Sequence, residues 1–297
     1  LVTGMSGSGK STLVRDVLKP ALNTHFGNYS TDNKNYESVS VSTNNLSNIE
    51  FIDQNPIGKS SRSNPATYIK VYDDIRKLFT SQPLAESRSY KTGFFSFNVD
   101  GGRCEHCKGE GEITVEMQFM ADVHLLCEDC KGERYQDEIL EIKFHNKNIA
   151  DILKLTIDEA IDFFTEHKAN RIALKLSPLQ QVGLGYVALG QSSNTLSGGE
   201  AQRIKLASFL GKGNTPEKVL FIFDEPTTGL HFHDINKLLN SFYALIEKGH
   251  SIICIEHNMD VIKCADWIID LGPEGGDNGG KIVFEGTPED MMKCKKS

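Results

Sequence analysis

The 297 residues carry 32 Lys and Arg against 40 Asp and Glu, a formal charge of −8 that argues against wholesale coating of nucleic acid but leaves room for a local basic face. An apolar fraction of 39% and a charged fraction of 24% are those of an ordinary globular protein with a substantial core and room for two subdomains. No apolar run reaches the roughly 18 residues of a membrane span and no signal-peptide pattern opens the sequence, so no membrane partner and a cytoplasmic location are expected.

In chain order, Leu1-Val2-Thr3 reads as the tail of a strand that feeds a glycine-rich loop, Gly4-Met5-Ser6-Gly7-Ser8-Gly9-Lys10-Ser11. A strand at the first residue predicts others before it, hence a longer polypeptide. Leu13, Val14, Val17 and Leu18 at helical spacing predict a helix over 11–22, with Pro20 marking its approaching end. The Ser/Thr/Asn-rich stretch 28–48 reads as loop or edge structure, and Ile49–Asp53 as a short strand leading into Gln54. Seven Lys or Arg face three acids between Lys59 and Lys91. Glycine, cysteine and charge dominate from about Gly93 to Tyr135, where Cys-x-x-Cys-Lys-Gly occurs at Cys104 and again at Cys127. Helical periodicity runs from Ile149 to Lys175, and a further helix over Ala201–Leu210 is N-capped by Ser197. Val219–Phe223 and Ser251–Ile255 are continuous apolar runs, as expected of central parallel strands buried on both faces. Strands alternating with helices predict an α/β layer architecture.

Four motifs carry chemistry. The first matches G-x-x-x-x-G-K-[ST]: its glycines let successive N–H groups face phosphate, Lys10 neutralises charge and Ser11 ligates Mg²⁺. Gly4, Ser6, Gly7, Ser8, Gly9, Lys10, Ser11 and Thr12 are the expected ATP-binding residues; a glycine-rich turn with an exposed lysine is the plain alternative. Asp224 ends an apolar strand where it can hold magnesium, and Glu225 then faces the attacking water as base or water-positioner. A pair of helix-capping carboxylates is the competing reading. His257 closes the next strand and is expected at the γ-phosphate; Gln54 follows a strand and can sense magnesium and water. Ser197, Gly198 and Gly199 open a helix that can offer N–H groups and a hydroxyl to a nucleotide bound elsewhere, or can be an ordinary cap. Cys104, Cys107, Cys127 and Cys130, spaced Cys-x2-Cys-x19-Cys-x2-Cys, suit a closed, structural Zn²⁺ site better than a redox pair. The basic stretch makes Lys59, Arg62, Arg88 and Lys91 candidates for phosphate-backbone contact, against the alternative of a solvated face.

With these motifs go Gln54-Asn55-Pro56-Ile57-Gly58, Arg62–Tyr68, Val182-Gly183-Leu184-Gly185-Tyr186, Leu196–Arg203, Asp224–His231 and Asp270–Gly276. Together they span nearly the whole chain, which resembles the C-terminal ATP-binding-cassette half of the UvrA family. The resemblance implies an α/β fold, a P-loop ATPase core of the cassette type with an inserted helical signature subdomain and a four-cysteine zinc module. It assigns 1–78 to the first part of the core, 79–202 to the signature subdomain with zinc at about 93–135, and 203–297 to the rest. It implies ATP-dependent damage recognition on duplex DNA in nucleotide excision repair, without nuclease activity. It further implies a UvrB-like partner, a second cassette and a homodimer partner, and ATP sites shared head to tail, so that the isolated chain hydrolyses weakly. Cassettes of this type usually supply an aromatic adenine platform from strands that here would precede Leu1. A UvrA-like paralogue of the drug-resistance type and the ATPase of a membrane transporter are the rival assignments.

Overall fold

The computed structural model describes all residues except 28–35, 41–45, 59, 116, 118–122, 213–216 and 296. Its strands among the described residues are β1 (Val2–Gly4), β2 (Leu46–Ile52), β3 (Glu112–Val115), β4 (Val123–Leu126), β5 (Lys218–Asp224), β6 (Ser251–Ile255), β7 (Ile268–Gly272) and β8 (Lys281–Gly286). The chain divides into two compact units, Leu1–Asn55 with Lys212–Ser297, and Pro56–Gly211. The expected boundaries at 78/79 and 202/203 both fall inside helices of the second unit, Tyr72–Thr80 and Gly198–Leu210.

The first unit is built on a six-stranded sheet in the order β2-β5-β6-β1-β7-β8. All pairings are parallel except β7 with β8. Parallel pairing sets the carboxyl ends of β2, β5, β6, β1 and β7 along one edge, where ligands gather in open α/β sheets. β5 shows why the run Val219–Phe223 is apolar throughout. Leu220 and Ile222 enter a buried cluster with Val2, Val14, Leu22, Ile255 and Leu271. On the other face Phe223 packs on Phe242 of the helix Phe232–Glu247, ring centroids 4.6 Å apart. Residues of both parities are buried, so the period-2 signal of a half-exposed strand is lost. Of the stretch expected as loop or edge, 28–35 and 41–45 lie outside the described residues, while 46–48 open the edge strand β2.

The helical segment after the glycine-rich loop runs three residues past the expected Leu22, to His25. Thr12–Leu18 is wound as a wide π-type helix and continues as an α-helix over Lys19–His25, with Pro20 in its first turn. There the missing N–H and fixed φ of proline are tolerated, and the wide winding before it relaxes the i→i−4 ladder that proline would interrupt.

The second unit is mainly helical. Its periodic stretch from Ile149 is three helices rather than one, Ile149–Lys154, Ile157–Glu166 and Asn170–Gln181. Thr156 breaks the first from the second by a capping box with Glu159, and Lys168 at φ 60° turns the chain before the third. Ile152, Ile157, Ala160, Phe164, Leu176 and Leu179 are fully buried, so the apolar spacing survives although the axis changes direction twice. β3 and β4 form a separate antiparallel hairpin in register Glu112↔Leu126 to Val115↔Val123.

Candidate nucleotide and metal sites

The glycine-rich loop leaves β1 between β6 and β7. Gly4 stands at φ 133°, and a Cβ there would lie 2.0 Å from the Leu271 carbonyl oxygen, so only glycine passes this close to β7. Gly7 and Gly9 also take positive φ, at 77° and 93°. Lys10 is buried and donates from Nζ to the carbonyl oxygens of Gly4 at 3.0 Å and Met5 at 2.7 Å. Burial lowers its pKa, against the opposing charges of Glu225, Asp224 and Asp270. The Ser8 hydroxyl is buried with no hydrogen-bond partner, while Ser6, Ser11 and Thr12 are exposed. A buried ammonium bonded only to carbonyls beside an unanswered hydroxyl is a donor set that fits an anion.

A second glycine-rich loop, which sequence reasoning left without a role, backs the first. Gly276 N–H donates to the Gly7 carbonyl at 3.1 Å and Gly280 N–H to that of Ser8 at 3.0 Å. Gly275 and Gly279 have no room for a Cβ, which would meet the Ser6 oxygen at 2.7 Å and the Glu274 oxygen at 2.8 Å.

Along the same sheet edge, β5 delivers Asp224 and Glu225, β6 delivers His257, and β2 delivers Gln54. Glu225 Oε1 and His257 Nε2 are 2.8 Å apart, both about half exposed. Gln54 Nε2 donates to the Glu225 carbonyl at 3.4 Å. Glu225 itself has φ 46°, a left-handed conformation uncommon outside glycine, which turns its side chain out of the strand direction. Asp224 is mostly buried and bonded by Arg15 at 2.7 Å, a partner the sequence did not suggest. Arg15 and Lys19 both lie over the Phe51 ring, at 5.7 Å and 4.5 Å from its centroid. The structure therefore brings Gln54, Asp224, Glu225 and His257 together, and adds Arg15 and the buried Glu256.

In the second unit Ser197 caps the helix Gly198–Leu210. Its hydroxyl accepts from Glu200 N–H at 3.3 Å, and Glu200 Oε2 accepts from Ser197 N–H at 2.7 Å. Ser197 thus caps its own helix as an acceptor, a bond that does not consume the hydroxyl as a donor. Burial works against the Glu200 charge, but hydrogen bonds from the Tyr186 hydroxyl, at 2.7 Å, and from Ser197 outweigh it and hold the carboxyl below its usual range.

The four cysteines of the zinc spacing are buried free thiols whose Sγ atoms lie within 4.8 Å of one another. Cys104 and Cys127 are 3.9 Å apart at sulfur, Cys107 and Cys130 3.6 Å. Zn–S bonds of about 2.3 Å at tetrahedral angles put sulfurs about 3.8 Å apart, so the cluster fits zinc as it stands. The repeated Lys-Gly after each pair has a backbone cause. Lys108 and Gly109, and again Lys131 and Gly132, turn through positive φ, and Gly109 passes so near the Phe97 carbonyl oxygen that a Cβ would lie 2.2 Å from it. Burial pushes the Cys130 thiol up to about 12; at Cys127 burial is outweighed by hydrogen bonds to the sulfur, chiefly from the Cys130 backbone, and the thiol falls to about 7. His106 and His124 stand outside the cluster, paired with Asp129 at 2.9 Å and Thr114 at 3.1 Å.

The basic candidates do not form one free patch. Arg62 pairs with Glu110 at 3.4 Å, and Arg88 pairs with Glu141 and donates to the Glu138 carbonyl at 3.0 Å. Lys91 is exposed, and Lys59 lies outside the described residues.

No protein-family model matches the chain. Among curated proteins it is 55% identical over 297 residues to UvrABC system protein A of Aquifex aeolicus, covering 100% of this chain and 32% of that protein. It is 54% identical over 290 residues to the protein of the same name from Thermus thermophilus, covering 98% of this chain and 30% of that protein. The crystal structure of UvrA2 from Deinococcus radiodurans superposes with a TM-score of 0.89 at 46% identity, over 100% of this chain and 35% of that one. No helix among the described residues is long and apolar enough to cross a membrane. Matched from end to end at such identity, the chain belongs to the UvrA family, and it spans about a third of the length of the curated relatives it matches.

Proposed function

We propose that this chain is the C-terminal ATP-binding cassette of the DNA-damage recognition subunit of nucleotide excision repair. The observation that carries the ATPase reading is the convergence of Gln54, Asp224, Glu225 and His257 beside the Lys10 loop on one sheet edge of a UvrA-family chain. In this reading the N–H groups of Gly7 to Ser11, together with Thr12 and Lys10, bind the phosphates of ATP. Lys10 exchanges its two carbonyl partners for phosphate oxygens, and the Ser8 hydroxyl gains the partner it lacks. Ser11 and Asp224 hold Mg²⁺, which when bound neutralises charge on the phosphate oxygens; Arg15 must then release Asp224. Glu225 orients a water for in-line attack on the γ-phosphorus and accepts its proton. The bond from that phosphorus to the bridging oxygen breaks, leaving ADP and phosphate, with His257 steadying the transferring group and Gln54 the water.

Ser197, Gly198 and Gly199 serve a nucleotide held by another cassette, in the same polypeptide or a homodimer partner. The isolated chain is accordingly a weak ATPase. The zinc held by the four cysteines is structural. Duplex DNA and a UvrB-like subunit are the partners, in the cytoplasm, and incision lies with another protein. Identity of 51–55% over the chain to proteins named UvrABC system protein A supports the repair-protein reading over a transporter ATPase.

The DNA part of the proposal is tested by anisotropy titrations of the full-length protein on a duplex at several salt concentrations. Replacing Lys91, or Arg62 or Arg88 after loss of their ion pairs, is expected to weaken binding to all sequences alike. Each lost phosphate contact lowers the salt slope by about 0.9, without changing base preference, since backbone contacts carry no sequence information. Wild-type binding that is absent at low salt, or indifferent to salt, removes the DNA assignment.

A further inference from the structure

β5 and β6 end side by side, Asp224 opposite Ile255, and each strand continues into a loop that carries one partner of the Glu225–His257 contact. Glu256 lies between the two loops. Its residue is 2% exposed, and both carboxylate oxygens accept from backbone rather than facing solvent. Oε1 accepts from Thr227 N–H at 2.8 Å, in the loop after Glu225. Oε2 accepts from His257 N–H at 2.8 Å and Asn258 N–H at 3.1 Å, in the loop after β6.

The main chain around Glu256 is anchored on both sides. Its own N–H donates to the Val2 carbonyl at 3.1 Å, and Glu225 N–H donates to the Ile255 carbonyl at 2.9 Å. The carboxylate thus starts from a fixed point of the sheet and ties down the two loops that carry the reacting pair. Glu225 needs such support. A non-glycine residue at φ 46° is strained and persists only where its surroundings hold it. The bond from Thr227, two residues on, restrains the turn that keeps it there.

We propose that Glu256 is a positioning residue for ATP hydrolysis: its buried carboxylate clamps the Glu225 loop to the His257 loop and so maintains the distance at which Glu225 and His257 meet. The proposal rests on the ATPase reading above for its kinetic consequence, but the clamp itself is a property of the loops and has its own readout. A clamp of this kind differs from a merely stabilising buried carboxylate in what its loss changes. Displacing a catalytic group by about 1 Å costs up to about 100-fold in rate, while the phosphate loop, which Glu256 does not touch, continues to bind nucleotide.

The test compares wild type, Glu256→Gln and Glu256→Ala in the full-length protein. Glutamine keeps the volume and one acceptor oxygen but turns an N–H₂ toward a backbone donor; alanine removes all three bonds. Turnover is expected to fall about 30–100-fold in the alanine variant and by an intermediate amount in the glutamine variant, with the dissociation constant for ATP within about threefold of wild type. Amide hydrogen exchange should accelerate at 225–228 and 256–258 and remain unchanged at 4–12. Should Glu256→Ala fail to fold, the glutamine variant carries the same readouts. Folded variants with turnover within about threefold of wild type, or with unaltered exchange in both loops, overturn the clamp. A wild-type protein without ATPase activity overturns the functional reading instead, and the exchange data then decide the clamp by themselves.

Discussion

Replacing Glu225 by glutamine in the full-length protein is expected to reduce ATP turnover by about 10²–10⁴-fold, the range that general-base catalysis supplies, while ATP affinity stays within a few-fold of wild type. Among the described residues Glu225 is the only carboxylate paired with the His257 ring, at 2.8 Å, and it is half exposed, so a water can reach it. Glutamine preserves the size and the hydrogen bond to His257 but cannot take a proton. Binding is expected to survive because the groups proposed to meet the phosphates lie elsewhere, in the loop after β1. Steady-state turnover and equilibrium nucleotide binding, measured on the same preparation, separate the two effects. Turnover unchanged by Glu225→Gln would remove Glu225 from the chemistry and leave its pairing with His257 as architecture.

The second large effect is expected from the metal. Zinc-bound cysteine clusters contribute apparent free energies of about 10–16 kcal/mol in small zinc peptides, and the hairpin of β3 and β4 beside the four cysteines adds little apolar burial, since Val115, Val123, Leu125 and Leu126 are exposed. Cys127→Ser should therefore leave the full-length protein with less than one zinc per site by elemental analysis and unfold residues 104–132 as read by amide exchange. Acid acts in the same direction. Zinc takes thiolates, so protons compete with it and affinity falls with falling pH. A zinc-free protein with unchanged exchange over 104–132 would show that the hairpin and its buried thiols suffice.

Much of the site was legible because its parts are short and contiguous. The phosphate loop, Asp224-Glu225 and the cysteine pairs each need particular residue types within a few positions, and the backbone answers in kind: positive φ at Gly7, Gly9, Gly109 and Gly132, sulfurs at zinc spacing. Central strands were legible because burial on both faces of β5 removes any polar alternation. What escaped depends on strand order. Glu256 precedes His257 in sequence, but its purpose appears only because β6 lies beside β5 and brings Thr227 to its side chain. Arg15 meets Asp224 across 209 positions, and the loop 275–280 meets the phosphate loop across some 270, distances over which spacing carries no signal. The helical periodicity over 149–175 was legible, but its division into three helices was not, for a different reason. Apolar periodicity reports which face is buried, and Thr156 and Lys168 redirect the axis without disturbing it. Pro20 set the expected end three residues early, because the wide winding before it relaxes the ladder that a proline would interrupt.

The coupling of nucleotide to damage is tested most directly by measuring the affinity of the full-length protein for one duplex with and without a single bulky lesion, in the absence of nucleotide and with ATP. Wild type is expected to prefer the lesion-bearing duplex by a factor that changes with ATP. Lys10→Ala, which removes the buried ammonium that two loop carbonyls hold at 3.0 and 2.7 Å, should still bind DNA but lose the response to ATP. Equal affinity for both duplexes in every nucleotide condition, or an ATP response that survives Lys10→Ala, would contradict the account.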